Sequence, residues 1–245
     1  MTTDKVETAE AAAVQLFQQA APLDPARHQD LKLDRSVGFA FARNQTAVPI
    51  VATEFAMAAR DLPIVFAGEG RLPMAVLGIR SGENLLVGDD GAWVAGRYVP
   101  AHLRRYPFIL QEDEAQQRFA LCIDEAAPHF QSQDKGEPLF NDAGATPLVT
   151  EMLQFLGEIQ GGFAQTQAYA AALVAAGLLI ERSAVVELKS GERVTLEGFF
   201  VVDEEKFSRL PIETLAEWAQ KGWLPLTYFH LQSRLNWTHL VDLAV

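Results

Sequence analysis

The spacing of apolar and polar positions predicts a chain that changes character partway along. Residues 6–21 read as a helix, with Val14, Leu16 and Phe17 set among Ala and Gln, until Pro22 and Pro25 break the pattern. Leu31 and Leu33 alternate with Lys32 and Asp34, and Phe39 and Phe41 alternate with alanines. Both are period-two signals of short strands. Thr53 stands where an N-cap would open a short helix over 54–60. Ile64-Val65-Phe66, ended by Gly68, reads as a buried strand, and residues 74–79 and 84–87 read as two more. Ser81-Gly82 and Asp89-Asp90-Gly91 supply tight turns before Trp93, so this half predicts an antiparallel meander.

Pro100 suits the first turn of a short helix. Pro107 drives Tyr106 out of the helical region, so 108–110 should be extended, with a further strand at 119–123. Residues 131–145 are polar and contain glycine, and predict a surface loop. Thr146-Pro147 is a helix start, with Leu148, Met152, Phe155, Leu156 and Ile159 on one face. Gly161-Gly162 is expected to break or kink this helix. A second run covers 163–176, with Gly177 just past its end. Val186/Leu188 and Val194/Leu196 flank Ser190-Gly191 as a hairpin, and 198–202 extends the sheet. Pro211 opens a helix that Gly222 closes, with Leu215 and Trp218 inward, and short helices finish the chain. The fold class is therefore α+β: an antiparallel meander in the N-terminal half, helices plus a hairpin in the C-terminal half. Residues 1–245 read as one domain. The loop at 131–145 is the place where it would divide into a strand-rich 28–130 and a helix-hairpin-helix 146–245.

Composition narrows the function. The 245 residues are 49% hydrophobic and 21% charged, which excludes a disordered or collagen-like chain. Lys+Arg number 20 against 32 Asp+Glu, for a net charge of −12. That balance argues against nucleic acid or an anionic membrane as partner. Cys122 is the one cysteine, so neither an intrachain disulfide nor a paired-cysteine zinc site can form, and its apolar neighbours predict burial. The first residues hold neither a basic nor an apolar signal segment, and the longest apolar run, 168–180, falls short of the ~18 residues a membrane span needs. The expectation is a cytoplasmic protein without an integral membrane segment.

Few residue patterns carry chemistry. His28-Gln29-Asp30 has the His-x-Asp spacing of a non-haem iron triad, with His102, His129, His230 and His239 available as the distal ligand. The basic residue that 2-oxoglutarate enzymes of this kind place roughly ten positions later is missing: those positions hold Glu112, Leu139 and Leu240. A surface His and Asp is the favoured reading. No phosphate-cradling glycine loop or Gly-x-Ser-x-Gly elbow occurs, and no cofactor is expected. His230 and Ser233, three apart, lack a third triad member and read as a helix-surface pair. Arg104-Arg105 stands among Tyr98, Tyr106 and Phe108 in an acidic protein. It reads either as an anion or peptide-carboxylate site or as an internal ion pair with Glu54 or an acid of Glu112-Asp113-Glu114. Neighbours on a helix point about 100° apart, so at most one of the two is expected to be buried. Asp203-Glu204-Glu205 and the acids at 112–114 lack calcium-loop spacing and predict solvated faces.

Several segments together resemble the SapC family. They are Pro49-Ile50 with Glu54-Phe55, Pro63-Ile-Val-Phe66, Gly78, Asn84-Leu85, Gly91-x-Trp93, Tyr98-Val-Pro-Ala101, Arg104-Arg-Tyr-Pro-Phe108, Cys122-Ile-Asp-Glu125, Pro138-Leu-Phe140, Gly198-Phe199 and His230-Leu-x-Ser233. The resemblance runs from about His28 to the C-terminus. It implies an association with bacterial surface-layer proteins. In proteobacteria it implies loci that hold tryptophan-halogenase-like flavoproteins, cupin-like proteins and TonB-dependent receptors. It carries over no catalytic residue. The resulting expectation is a non-catalytic accessory or binding protein of a nutrient-uptake or surface-related locus. Its contact residues would be Arg104, Arg105, Tyr98, Tyr106, Glu54, Asn84 and Trp93. Its partner would be a protein, a second copy of the chain, or a small acidic ligand. The alternatives are a metal-dependent oxygenase-like enzyme using His28 and Asp30, and a structural surface-layer component.

Overall fold

The computed structural model describes residues 3–5, 16–113, 118–131, 134–189 and 191–244. In chain order the strands are β1 (Thr3–Lys5), β2 (Ala20–Pro22), β3 (Lys32–Leu33), β4 (Ala47–Pro49), β5 (Ile64–Ala67), β6 (Leu72–Val76), β7 (Phe108–Asp113), β8 (Arg118–Asp124), β9 (Glu137–Pro138), β10 (Phe140–Asn141), β11 (Gly144–Ala145), β12 (Leu179–Glu187) and β13 (Arg193–Val202). The helices are α1 (Pro25–His28), α2 (Phe55–Asp61), α3 (Ala101–Arg104), α4 (Pro147–Ala175), α5 (Glu204–Ser208), α6 (Ile212–Gln220), α7 (Trp223–Ser233) and α8 (Asn236–Leu243). The class is α+β. Among the described residues no helix is long and apolar enough to cross a membrane.

The main sheet is organised by β13. One edge of β13 pairs antiparallel with β12, from Leu179↔Val202 to Glu187↔Arg193. The other edge takes β1 in parallel and then β5 antiparallel at Phe200↔Phe66. β6 pairs antiparallel with β5, and β4 with β6. Both faces of this sheet are covered. Ile64 and Phe66 join the principal core, which also holds Leu103, Phe108, Leu156, Tyr169 and Leu173. Val65 and Ala67 point the other way, into a second cluster with Met74, Leu196, Phe199 and Leu240. A strand buried on both faces has no polar side to show, which is why Ile64-Val65-Phe66 is an unbroken apolar run. A separate three-stranded sheet runs β2–β8–β7.

The packing explains several of the segments shared with the SapC pattern. His230 and Ser233 are not on a helix surface: both are fully buried. His230 Nε2 accepts the Val202 N–H at 3.0 Å, and Ser233 Oγ accepts the Ile64 N–H at 3.0 Å. Each satisfies a strand amide, so α7 is stitched to β13 and β5. Asn236 donates to the Ala59 and Leu62 carbonyls at 2.8 and 3.1 Å, closing the end of α2. Buried Asp124 accepts the Gln18 and Gln19 amides at 3.0 and 2.8 Å and the Tyr106 hydroxyl at 3.1 Å. A Cβ on Gly78 would lie 2.0 Å from the Glu83 carbonyl oxygen, so only glycine fits there. Cys122 is buried, and burial pushes its thiol up, away from the reactive thiolate.

Gly161-Gly162 does not break the helix: α4 is continuous. Gly162 faces Val51, where a Cβ would sit 3.4 Å from Val51 Cβ. One turn on, Thr166 Oγ1 donates to the Gly162 carbonyl at 2.7 Å and accepts the Ala52 N–H at 2.8 Å. The close approach and these bonds outweigh the propensity cost of about 1 kcal/mol per glycine. The helix ends as expected at Gly177, in the left-handed conformation (φ 62°) with Leu178 N–H bonded to the Leu173 carbonyl.

Other expectations shift. Most of the helix expected over 6–21 lies outside the described residues, and its described end, Ala20–Pro22, is a strand paired with β8. Phe39 and Phe41 do not form a strand. Gly38 (φ 71°) turns the chain, and Ala40–Ala42 is a 3-10 turn whose aromatics pack on Trp93 and Tyr106. Residues 84–87 form a turn with one bridge, Val87↔Trp93, because Asn84 spends its side chain on the Ala42 carbonyl and the Leu86 amide. The 131–145 loop holds the short strands β9, β10 and β11, with Leu139 and Phe140 buried. Thr53 sits inside the 3-10 turn Ala52–Glu54 and caps nothing. The hydroxyl of Thr146 bonds Pro138 and Leu139 carbonyls instead of the first turn of α4.

Candidate functional site

The site grows from the junction where β4 runs into the Ala52–Glu54 turn. Glu54 is buried, and its two oxygens take three donors. Oε2 accepts the Val51 N–H at 2.9 Å, and Oε1 accepts the Ala101 N–H at 2.7 Å and the Tyr98 hydroxyl at 2.8 Å. Ala101 is the first residue of α3, so the Glu54 carboxylate holds the start of that short helix against the turn before α2. Asp61, at the far end of α2, accepts the Tyr98 N–H at 2.8 Å and pairs with Arg60 and Arg97. The Tyr98-Val-Pro-Ala101 segment is thus pinned at both ends by carboxylates of one helix-turn unit.

Pinning α3 places Arg104 and Arg105 on different surfaces. Arg104 is exposed. Its Nε donates to the Val99 carbonyl at 3.0 Å, and its guanidinium lies 4.9 Å over the Phe155 ring and 5.8 Å over Tyr98. Arg105 turns inward and is half-buried. It lines a cavity of about 440 Å³ with His102, Glu54, Thr166 and the apolar side chains of Ile50, Val51, Leu72, Ile159 and Phe163. The ion pair expected between an arginine and Glu54 or Glu112 is not formed. Glu54 spends its oxygens on the three donors above and forms no salt bridge with Arg105, though its charge lies close enough to act on that guanidinium; the Asp113 side chain and Glu114 lie outside the described residues. One Arg105 terminal nitrogen donates to His102 Nδ1 at 3.1 Å, while its Nε–H is buried without a partner. Burial pushes this guanidinium down to about 10, and the nearby Glu54 charge opposes the fall, so Arg105 is still a cation at neutral pH. Burial, and then the Arg105 charge, hold the His102 imidazole well below its usual range, so it is neutral. Its Nε2 is buried and unpartnered. The cavity therefore has apolar walls and one corner where the Arg105 cation stands near the buried Glu54 carboxylate.

The other expected contact residues are scattered. Tyr98 orients Glu54 and touches Arg104 but does not line the cavity; burial first, then Glu54, pushes its hydroxyl up to about 12. Tyr106 donates to Asp124 and stacks on Phe41 at 4.2 Å. With Arg104 and His129 it lines a second groove of about 350 Å³. Asn84 and Trp93 line neither cavity. His28 has both ring nitrogens engaged, Nδ1 by the Asp24 N–H at 3.0 Å and Nε2 by Glu125 at 2.8 Å, and Asp30 is exposed. Among the described residues no group of three or more His, Cys, Asp and Glu side chains is placed to hold a metal ion. Sequence reasoning missed His102 as a member of the site. Its position three residues before Arg105 in an expected helix was the available signal. Nothing local marked Thr166, whose role depends on how α4 packs.

No curated protein and no solved structure matches the chain. Residues 23–240 match the SapC family, and the stretch holds the cavity, both arginines and the buried His230–Ser233 stitch. The chain belongs to the SapC family.

Proposed function

We propose that this protein is a non-catalytic accessory protein that binds a small acid with an apolar body in the cavity between the Ala52–Glu54 turn, α3 and α4. One observation carries the reading: Arg105 is a cation lining a largely apolar cavity, it forms no salt bridge among the described residues, and the nearby Glu54 carboxylate is held by three other donors. A desolvated guanidinium is costly unless an anion meets it, and a carboxylate does so in bidentate fashion. The chain holds no complete set of nucleophile, base and orienting group by sequence, which supports binding over catalysis. Our reading keeps the matched span as one domain, supported by the β13–β5 pairing and by core residues from both sides of the 131–145 segment. It also keeps the cytoplasmic location and the role in a nutrient-uptake or surface-related locus, which cell fractionation and affinity capture at native expression test. The binding claim is tested by calorimetric titration with octanoate, acetate and octylamine. Octanoate binds, acetate binds at least tenfold more weakly for want of an apolar body, and octylamine does not bind. Equal affinity for the amine and the acid would overturn the reading.

A further inference from the structure

The main sheet ends in an open edge. β12 is nine residues long and pairs with β13 on one side; among the described residues no strand pairs with its other side. The direction of its backbone groups follows from the two ends of the ladder. At one end the Asp203 N–H bonds the Leu178 carbonyl, and at the other the Leu188 N–H bonds the Glu192 carbonyl, both at 2.8 Å. Bonded rungs recur at every second residue, so the even-numbered residues of β12 bond to β13 and the odd-numbered ones turn their N–H and C=O groups outward. The one irregularity of the ladder leaves that edge intact. β13 runs from Phe199 to Leu196 while β12 runs from Arg182 to Ala184, so the extra residue lies in β13, where Gly198 has φ 79°. Proteins blunt an open edge with a short strand, a proline or a bulge. β12 has none of these, and Val185 near its centre is 65% exposed.

We propose that the outer edge of β12 is an interface between two copies of this chain, paired antiparallel about a two-fold axis at Val185, so that two main sheets join into one. Opposed residues of an antiparallel pair share a face, and the exposed face of β12 carries Glu181, Ser183, Val185 and Glu187. The position of the axis decides what meets across the edge. An axis at Ala184 sets Glu181 against the partner's Glu187, a destabilising like-charge pair. Axes at Ser183 and Val186 set Val185 against an acid, the partner's Glu181 or the partner's Glu187. An axis at Val185 sets Val185 against itself and Ser183 against the partner's Glu187, which Arg193 already holds at 3.0 Å. It also brings Glu181 to the end of the partner strand, where exposed Lys189 stands. Apolar then meets apolar, a hydroxyl meets a carboxylate, and an acid meets a base. Charges that guard the edge against other strands thus fit a second copy. The rungs at 183, 185 and 187 supply about six backbone hydrogen bonds, and a self-complementary patch of this kind closes at a dimer. None of these residues lines the cavity, so the inference stands independently of the ligand-binding reading.

The test is sedimentation of the full chain from about 1 to about 300 μM, where mass action moves wild type from monomer towards dimer. Val185→Lys and Val185→Glu each set two like charges together at the axis and hold the chain monomeric at least tenfold higher in concentration. An equal mixture of the two variants associates again, because Lys and Glu then meet. Cross-linking reads the register. Opposed residues on a bonded rung lie about 5.5 Å apart between Cα atoms, within disulfide reach. On mild oxidation Val185→Cys therefore links to itself. Ser183→Cys alone does not, but it links to Glu187→Cys when the two are mixed. Native Cys122 is buried and gives no link in wild type. Thermal melting confirms that each variant is folded. Wild type that stays monomeric over the whole range overturns the inference. So does a dimer that Val185→Lys leaves unchanged, or one in which Ser183→Cys links to itself more readily than Val185→Cys.

Discussion

Replacing Glu54 tests the architecture that positions the cavity. Glu54→Ala strands two buried backbone amides, Val51 and Ala101, and removes the acceptor of the Tyr98 hydroxyl. A stranded buried donor costs about 1–3 kcal/mol. Tyr98 is half-buried and can turn to water, so its share is small. Two amides at the middle of that range give a loss of about 4 kcal/mol, a large part of the 5–15 kcal/mol that typically holds a domain folded. Glu54→Gln keeps an oxygen at the Oε1 position for Ala101 and Tyr98, and sets its amide against the Val51 N–H, for a loss of about 2 kcal/mol. Urea unfolding of both variants gives the difference. Amide exchange at Val51 and Ala101 should quicken in Glu54→Ala and only at Val51 in Glu54→Gln. Losses below about 1 kcal/mol in both variants, or equal losses, would refute the assignment of Glu54 as the tie between these segments.

Other consequences follow from the same contacts. Burial, and then Arg234, push His230 down from 6.5 to about 3. The unfolded chain therefore binds a proton that the folded chain refuses, and stability falls as pH drops from 6.5 towards 3, by up to about 1.4 kcal/mol per pH unit. Unfolding of His230→Gln between pH 6.5 and 4.5 should show a flatter slope than wild type; an unchanged slope contradicts the assignment. Gly161→Ala meets nothing within 4 Å on an exposed helix position, and should stabilise by about 0.5–1 kcal/mol in thermal or urea unfolding. Gly78→Ala meets the Glu83 carbonyl at 2.0 Å, and should cost more than about 2 kcal/mol in the same assay. Thr166→Val removes the acceptor of the Ala52 amide, and should cost about 1–3 kcal/mol and loosen α4 from the turn at the cavity wall.

Elements governed by local rules were legible in the sequence. The Gly177 helix end, the hairpin around Ser190-Gly191 and the buried run at Ile64 depend on backbone freedom and side-chain period, which neighbours in the chain report. What was not legible depends on distant partners. Gly161-Gly162 carries a breaker signal, yet Val51 and Ala52 meet that face of α4 from more than 100 residues away. Phe39 and Phe41 alternate like a strand, but Gly38 turns the chain just before them and their rings join an aromatic cluster. Of the contact residues, the Arg104-Arg105 pair and its divergence on one helix turn followed from spacing alone. Glu54 was visible as a buried acid near the arginines, while its real partners are two amides and a phenol. Asn84 and Trp93 belong to the turn around Val87 and support that turn, not the cavity. His102 was hidden because nothing in the local sequence marks a histidine that packs buried against an arginine three residues on.

The central claim is that two adjacent arginines do different work, Arg105 meeting a ligand acid inside the cavity and Arg104 lying on the surface over Phe155. Octanoate affinity of wild type, Arg104→Gln and Arg105→Gln, measured by calorimetry in one buffer, tests it most directly. The account predicts that Arg104→Gln binds within about twofold of wild type and that Arg105→Gln loses at least about tenfold, the range for one charge-assisted hydrogen-bond pair. Equal losses in the two variants, or binding that survives in Arg105→Gln, would contradict it.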